Sequence, residues 1–144
     1  MLLNQTAVYG LRAMSTLARL APGESLNAAA LSSRTGVPQQ YLSKVMRKLV
    51  LARLVIGRRG HGGGFSLQRP PHDIRLGDVL AAVDQGFDNS CAFGYSACDL
   101  RNPCSLHPVW NELKAGLEHW ASNYSLADLG PEPERVRTRR PPRT

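Results

Sequence analysis

Apolar residues recur at steps of three and four along much of the chain, and these runs set its predicted architecture. Ala7, Val8, Leu11, Met14, Leu17 and Leu20 lie at helical spacing with Arg12, Ser15 and Arg19 opposite, which predicts a helix over residues 4–20. Pro22-Gly23 stops it. Asn27 then stands as an N-cap before a short helix over 28–34, and Gly36 closes that helix. A third helix starts at Pro38, which has no amide hydrogen to leave unpaired in a first turn. Its apolar stripe is Tyr41, Leu42, Val45, Met46 and Leu49, opposite Gln39, Gln40, Ser43, Lys44, Arg47 and Lys48. A short helix, a tight turn at Thr35-Gly36-Val37 and a second helix with an amide- and cation-rich face form a helix-turn-helix pattern. An ordinary helical hairpin with a solvated face is the competing reading.

The periodicity then changes. Residues 53–58 have strand-like content, Arg59-Gly60-His61-Gly62-Gly63-Gly64 follows, and residues 65–68 return as a second strand. This predicts a β-hairpin with a glycine tip carrying arginines and a histidine, the shape of a wing that reaches a neighbouring groove or phosphate. The glycine run is not a nucleotide-binding loop, because no Gly-Lys-Ser/Thr follows it and no helix begins there.

Pro70-Pro71 marks a junction, and residues 76–83 form a short helix. Pro108 opens a long helix with Val109, Trp110, Leu113, Leu117, Trp120, Ala121 and Tyr124 on one side. That stripe exceeds what the head needs to cover it, so a dimer seam is the preferred use and packing within the chain the alternative. Ser125 caps a last turn over 126–129. From Pro131 to Thr144 the chain has 5 Arg and only Val136 as an aliphatic, which predicts a disordered basic tail.

At 144 residues and 42% hydrophobic content, the chain has enough apolar material for one core. Asn4 and Gln5 interrupt the start and no basic flank precedes an apolar run, so no signal peptide is read there. No stretch approaches the ~18 apolar residues of a membrane span. A cytoplasmic protein is expected, with reduced thiols.

Charge adds direction. The net charge is +7, but residues 1–75 hold 11 basic side chains against 2 acidic ones, while residues 76–130 hold 2 against 7. A basic first half beside an acidic second half suggests one surface for a polyanion and another for something else, although a solvated basic surface would look alike.

All 3 cysteines fall in one segment, Cys91, Cys98 and Cys104, followed by His107, with the spacing C-x6-C-x5-C-x2-H. Thiolates with a nearby imidazole suit an iron–sulfur cluster or zinc. The tight Cys-x2-4-Cys knuckle of structural zinc sites is absent, and the looser spacing fits a loop around a larger inorganic core, with Gly94, Asn102 and Pro103 supplying bends. Inert thiols, a disulfide with one thiol spare and a Cys3His zinc site are the alternatives. No Ser/His/Asp set or carboxylate pair stands out, which argues against an enzyme. A small electron-transfer protein would leave the basic head and wing without a role.

These features together resemble the Rrf-two (Rrf2) family of bacterial winged-helix regulators, and within it the iron–sulfur members of IscR and NsrR type. The likeness covers about residues 1–130. It rests on the opening Tyr9-Gly10-Leu11-Arg12-Ala13-Met14, the segment from Val37 to Leu54, the wing from Arg59 to Phe65, and the three cysteines before a long helix. It implies a fold that is mainly α with a small β-hairpin: a winged helix-turn-helix domain plus a long C-terminal dimerisation helix. The corresponding division is 1–75 for DNA binding, 76–130 for the cluster-binding loop and dimerisation helix, and 131–144 for the tail.

The resemblance also implies a homodimer on a palindromic operator in double-stranded DNA, with no membrane and no small-molecule substrate. Cys91, Cys98 and Cys104 match the family's cysteine ligands, and Cys104-Ser105-Leu106-His107 matches the Cys-x-x-His whose His is the fourth ligand of a 2Fe–2S cluster. The first gap is six residues where five is usual. Relatives that take an acidic fourth ligand near the N-terminus have it where this chain has Val8, and no acid precedes Glu24. A 2Fe–2S cluster is therefore favoured, with a three-cysteine 4Fe–4S cluster as the alternative. Gln39, Gln40, Tyr41, Ser43 and Lys44 fall where relatives touch bases and backbone, with Arg47 beside them. Arg59 falls where an Arg enters the minor groove, flanked by Arg58 and His61. Ser43 replaces a Glu of the IscR-type regulators and carries no charge.

Overall fold

The computed structural model describes residues 3–84, 93 and 99–131. Along the chain run α1 (Gln5–Leu17), α2 (Ala28–Thr35), α3 (Gln39–Leu51), β1 (Val55–Arg58), β2 (Gly64–Leu67), α4 (Leu76–Ala82) and α5 (His107–Asn123). Single 3-10 turns at Pro71–Asp73 and Leu126–Asp128 complete it. The order is that of a winged helix-turn-helix followed by a long helix, mainly helical with one small hairpin.

Local chemistry sets most of the boundaries. Asn4 Oδ1 accepts from Ala7 N–H at 2.8 Å and starts α1; Asn27 Oδ1 does the same for Ala30 N–H at 2.8 Å and starts α2. Gly36, at φ 72°, ends α2 with its N–H on Ser32 O at 2.9 Å. The turn is pinned by Ser32 Oγ donating to Val37 O at 2.6 Å and Thr35 Oγ1 donating to Leu31 O at 2.7 Å. Pro38 is the cap of α3 rather than its first residue, with extended backbone at φ −57° and ψ 135°. α3 closes in a Schellman motif: Leu54 N–H bonds Leu49 O and Arg53 N–H bonds Val50 O, each at 3.0 Å, with Arg53 left-handed at φ 59°. That turn takes Arg53 and Leu54 out of the predicted strand, so β1 begins at Val55.

α1 departs from its predicted face. The helix stops at Leu17, because residues 18–20 pass into i+3 turns, and Tyr9, Gly10, Ala13 and Ser15 are buried while Val8 and Leu11 are half-buried. Ser15 therefore lies inside, not on the exposed side. The cause is enclosure: α1 packs against α2, α3, α4 and β2, so more than one of its sides is covered. Gly10 permits the approach of α4, since a Cβ there would lie 3.1 Å from Val83 Cγ1.

The core holds Met14, Leu31, Val37, Leu42, Met46, Leu49 and Leu54 of the head together with Ile74, Leu76, Val79 and Leu80. Each fully buried aliphatic side chain contributes roughly 1.5–3 kcal/mol, so α4 is tied to the head by apolar burial. The C-terminal end of α5 is tied to α4: Ala121 is buried, and a Cβ on Gly77 would lie 3.1 Å from Ala121 O. Leu76 N–H bonds Tyr124 O at 2.9 Å and Leu126 N–H bonds Ile74 O at 3.0 Å. The Ser125 turn is closed by Asp128, whose Oδ2 accepts from Ser125 N–H at 2.8 Å. The Arg19 guanidinium donates to the carbonyl of Gly130. The predicted tail, 131–144, lies outside the described residues from 132 onward, as does most of the cysteine segment.

Candidate nucleic-acid interface and cysteine segment

α3 separates its side chains cleanly. Leu42, Val45, Met46 and Leu49 are buried, while Gln39, Gln40, Ser43, Lys44 and Arg47 are exposed along one side. The turn over 35–38 holds the start of α3 outward, so its amide-rich first turn is free to reach another molecule. Ser43 Oγ donates to Gln39 O at 3.0 Å, which commits its proton to the helix and leaves its lone pairs as acceptors.

Tyr41 differs from the predicted apolar stripe. Its side chain is 48% exposed, and its ring lies 6.2 Å from that of buried Tyr9 at an interplanar angle of 40°. The ring thus contacts α1 while about half of the residue stays open to solvent. Gln5 Nε2 donates to Tyr9 OH at 2.7 Å and braces this corner.

The wing runs beside the head. β1 and β2 pair antiparallel, with Val55 opposite Leu67 and Arg58 opposite Gly64. Phe65 also exchanges two backbone hydrogen bonds with Leu26, at 3.0 and 2.7 Å, which makes Leu26 a third rung and fixes the hairpin to the loop before α2. Gly64 makes this contact feasible: at φ 148°, its Cβ would lie 2.6 Å from the carbonyl of Leu26. At the tip, Gly63 N–H bonds Gly60 O at 3.0 Å, and Arg58, Arg59 and His61 are exposed. The two sequence-distant cationic groups, α3 and the tip, are therefore both open to solvent on one small head.

Of the four predicted metal donors, Cys104 and His107 lie within the described residues, and Cys91 and Cys98 lie outside them. Cys104 and His107 are both half-buried and share one turn at the start of α5, where His107 N–H bonds Cys104 O at 3.0 Å. His107 also borders an open cleft of about 290 Å3 with Leu100, Trp110 and Lys114. A soft sulfur and an imidazole on one turn, partly shielded from water, are donors suited to iron–sulfur or zinc binding. No group of three metal-ligating side chains occurs among the described residues.

The face of α5 is asymmetric in another way. Ala121 is its buried residue, whereas Val109 is 63% exposed, Leu113 44% and Tyr124 48%, with Trp110, Leu117 and Trp120 half-buried. An ion pair that the sequence did not suggest joins Lys48 of α3 to Asp84 at the end of α4. The residues are 36 positions apart, so no local spacing could have signalled it. No helix among the described residues is long and apolar enough to cross a membrane.

Known proteins agree with this architecture. Residues 3–132 match the family model Rrf2, described as an iron-dependent transcriptional regulator. The HTH-type transcriptional regulator IscR of Vibrio campbellii is 32% identical over 129 residues, covering 90% of this chain and 77% of the relative. IscR of Vibrio cholerae is 31% identical over 129 residues, covering 90% of this chain and about three quarters of the relative.

 Among solved structures, CymR, the global cysteine regulator of B. subtilis, superposes with a TM-score of 0.75 at 19% identity, covering 88% of this chain and 93% of that one. T. potens IscR gives a TM-score of 0.70 at 25% identity, covering 88% and 83%. The winged head, the outward first turn of α3 and the matches across nearly the whole described chain lead to one assignment: this protein belongs to the Rrf2 family of helix-turn-helix transcriptional regulators.

Proposed function

We propose that this regulator is a homodimer that binds a palindromic operator in double-stranded DNA, and that an iron–sulfur cluster on Cys91, Cys98, Cys104 and His107 governs its grip. The observation that carries the DNA reading is the exposed stripe of α3, where two amides, a hydroxyl and two cations stand outside a fully buried apolar stripe. Gln39 or Gln40 can bond adenine through two hydrogen bonds, while Lys44 and Arg47 read guanine or hold phosphate. Arg59, with Arg58 and His61 at the wing tip, suits a narrow minor groove, where the potential is most negative. Tyr41, half exposed on the same helix, can add a contact there.

The long helix supplies the two-fold. The apolar residues Val109, Leu113 and Tyr124 are left exposed by the described residues, and a second α5 would cover them. Paired heads would then meet half-sites about one DNA turn, or a multiple of it, apart. On this reading, residues 1–75 bind DNA, 76–130 carry the sensing segment and the seam, and 131–144 form a basic tail that adds nonspecific attraction.

Cluster sensing is supported by the donor set and by similarity to IscR. When bound, the cluster would supply a crosslink among these donors that oxidants, nitric oxide or iron shortage can break. Cys104 and His107 would hold it at the root of α5, and α5 is fixed to α4 through Ala121 and the Leu76–Tyr124 hydrogen bond. A shared fold does not by itself choose the cofactor. The choice rests on three thiols and an imidazole in 17 residues. A 2Fe–2S cluster is favoured over a three-cysteine 4Fe–4S cluster because His107 completes four protein donors.

Anaerobic reconstitution with iron and sulfide, followed by metal and sulfide counts, tests the proposal. The expected protein is coloured, loses its visible absorption when Cys91, Cys98 or Cys104 becomes Ala, and changes its spectrum in His107→Ala. Zinc at one per chain without sulfide would replace the cluster by a zinc-holding regulator. A colourless, metal-free protein would point to thiols that sense oxidants directly.

A further inference from the structure

Lys48 follows Lys44 by one turn of α3, at the flank of the exposed stripe, and its ammonium pairs with the carboxylate of Asp84. The two side chains are 42% and 76% exposed. A pair so open to water contributes little to stability. Its consequence lies in where the ammonium is held.

Lys48 borders a cleft of about 210 Å3 with Gln5, Tyr9, Tyr41 and Lys44. Amide, phenol and ammonium groups can all donate to an anion, and no carboxylate is among the residues lining the cleft. Asp84 reaches Lys48 from outside it, at the end of α4. Its backbone is left-handed at φ 61°, and the preceding Val83 is buried against Gly10 of α1. The carboxylate is thus delivered from an anchored helix end, next to a group of donors that would otherwise meet the DNA backbone.

We propose that Asp84 competes with DNA phosphate for Lys48, so that one backbone contact of the recognition helix is held in reserve. The proposal rests on the reading of α3 as the DNA-binding helix. In the unbound protein the carboxylate occupies the ammonium. Withdrawing that carboxylate frees Lys48 to bind phosphate and release one more counterion. Asp84 stands seven residues before Cys91 in the sequence, so a displacement of Asp84 with the cysteine segment would change DNA affinity without altering any base-reading residue.

The test measures binding of the full chain to a mixed-sequence DNA duplex by fluorescence anisotropy across a range of salt. Asp84→Asn is the informative variant, because Asn tolerates the left-handed backbone as Asp does. Each added phosphate contact steepens the slope of log K against log salt by about 0.9 per bound head, so the affinity gain should shrink about 3.5-fold per bound head between 50 and 200 mM. Lys48→Ala should keep the wild-type slope, and so should the double variant. Asp84→Gly, which also accepts this backbone, should behave as Asp84→Asn does, guarding against a local effect of the amide. An unchanged slope in both Asp84 variants overturns the proposal. So does a gain that survives in the double variant, since Asp84 would then merely repel DNA from a distance. Wild-type protein showing no salt-dependent binding would overturn the DNA reading of α3 beneath it.

Discussion

Single residues decide where this chain turns, and two glycines separate backbone freedom from space. Gly36 is left-handed at φ 72° with nothing within 4 Å of a would-be Cβ, so Gly36→Ala adds only the left-handed penalty, about 1–2 kcal/mol. Gly64 combines φ 148° with a Cβ position 2.6 Å from Leu26 backbone, so Gly64→Ala must also push the wing off its third rung. Thermal unfolding should show a larger loss for Gly64→Ala than for Gly36→Ala, and DNA binding should fall more as well. Equal losses would mean that the Leu26–Phe65 rung does not hold the wing. The role of Gly36 as a helix stop was legible from its place after a capped apolar run. The close approach at Gly64 was not, because Leu26 is remote in sequence and only the folded chain sets them side by side.

At the scale of elements, α3 was the most legible piece. Its period of three to four residues separates inside from outside with few exceptions, and the cap chemistry of Asn27 and Gly36 places the turn before it. Leu42→Ala should cost about 2–5 kcal/mol, since this leucine is fully buried in the head. Chemical denaturation measures that loss. Arg47→Ala should leave stability near wild type and lower the salt slope of DNA binding by about 0.9 if Arg47 holds a phosphate. Should Gln40 read a base, Gln40→Ala should instead weaken discrimination at one operator position by about 1–3 kcal/mol, read from competition between operator variants. α1 was less legible. A helix with four neighbours keeps only a narrow exposed strip, here Gln5 and Arg12, so amphipathic spacing misassigned Ser15 and passed over Gly10 and Ala13.

At the scale of the whole molecule, the unfinished surface is the N-terminal part of α5. Burying one leucine or valine typically contributes about 1.5–3 kcal/mol, and Val109 and Leu113 are left exposed by the described residues, so the proposed second α5 would gain it. Leu113→Glu should therefore leave the thermal stability of the head intact while shifting the protein to a monomer in light scattering. Its binding to a palindromic site should weaken more than its binding to a half-site. A dimer that persists in this variant would place the seam elsewhere. The Lys48–Asp84 pair belongs to this scale too, because it joins α3 to the end of α4 across 36 residues.

From the order of residues alone come the winged helix-turn-helix, its caps, the cationic stripe of α3 and the donor set of the cysteine segment. These follow from short-range physics: helical period, capping hydrogen bonds, and the chemistry of side chains close in sequence. Tertiary structure decided the rest. It buried Ser15 and turned Tyr41 half outward, drew Leu26 into the wing through Gly64, and set Asp84 beside Lys48. Each of those outcomes depends on which distant surfaces meet once the core closes, and burial and approach distance are properties of that meeting.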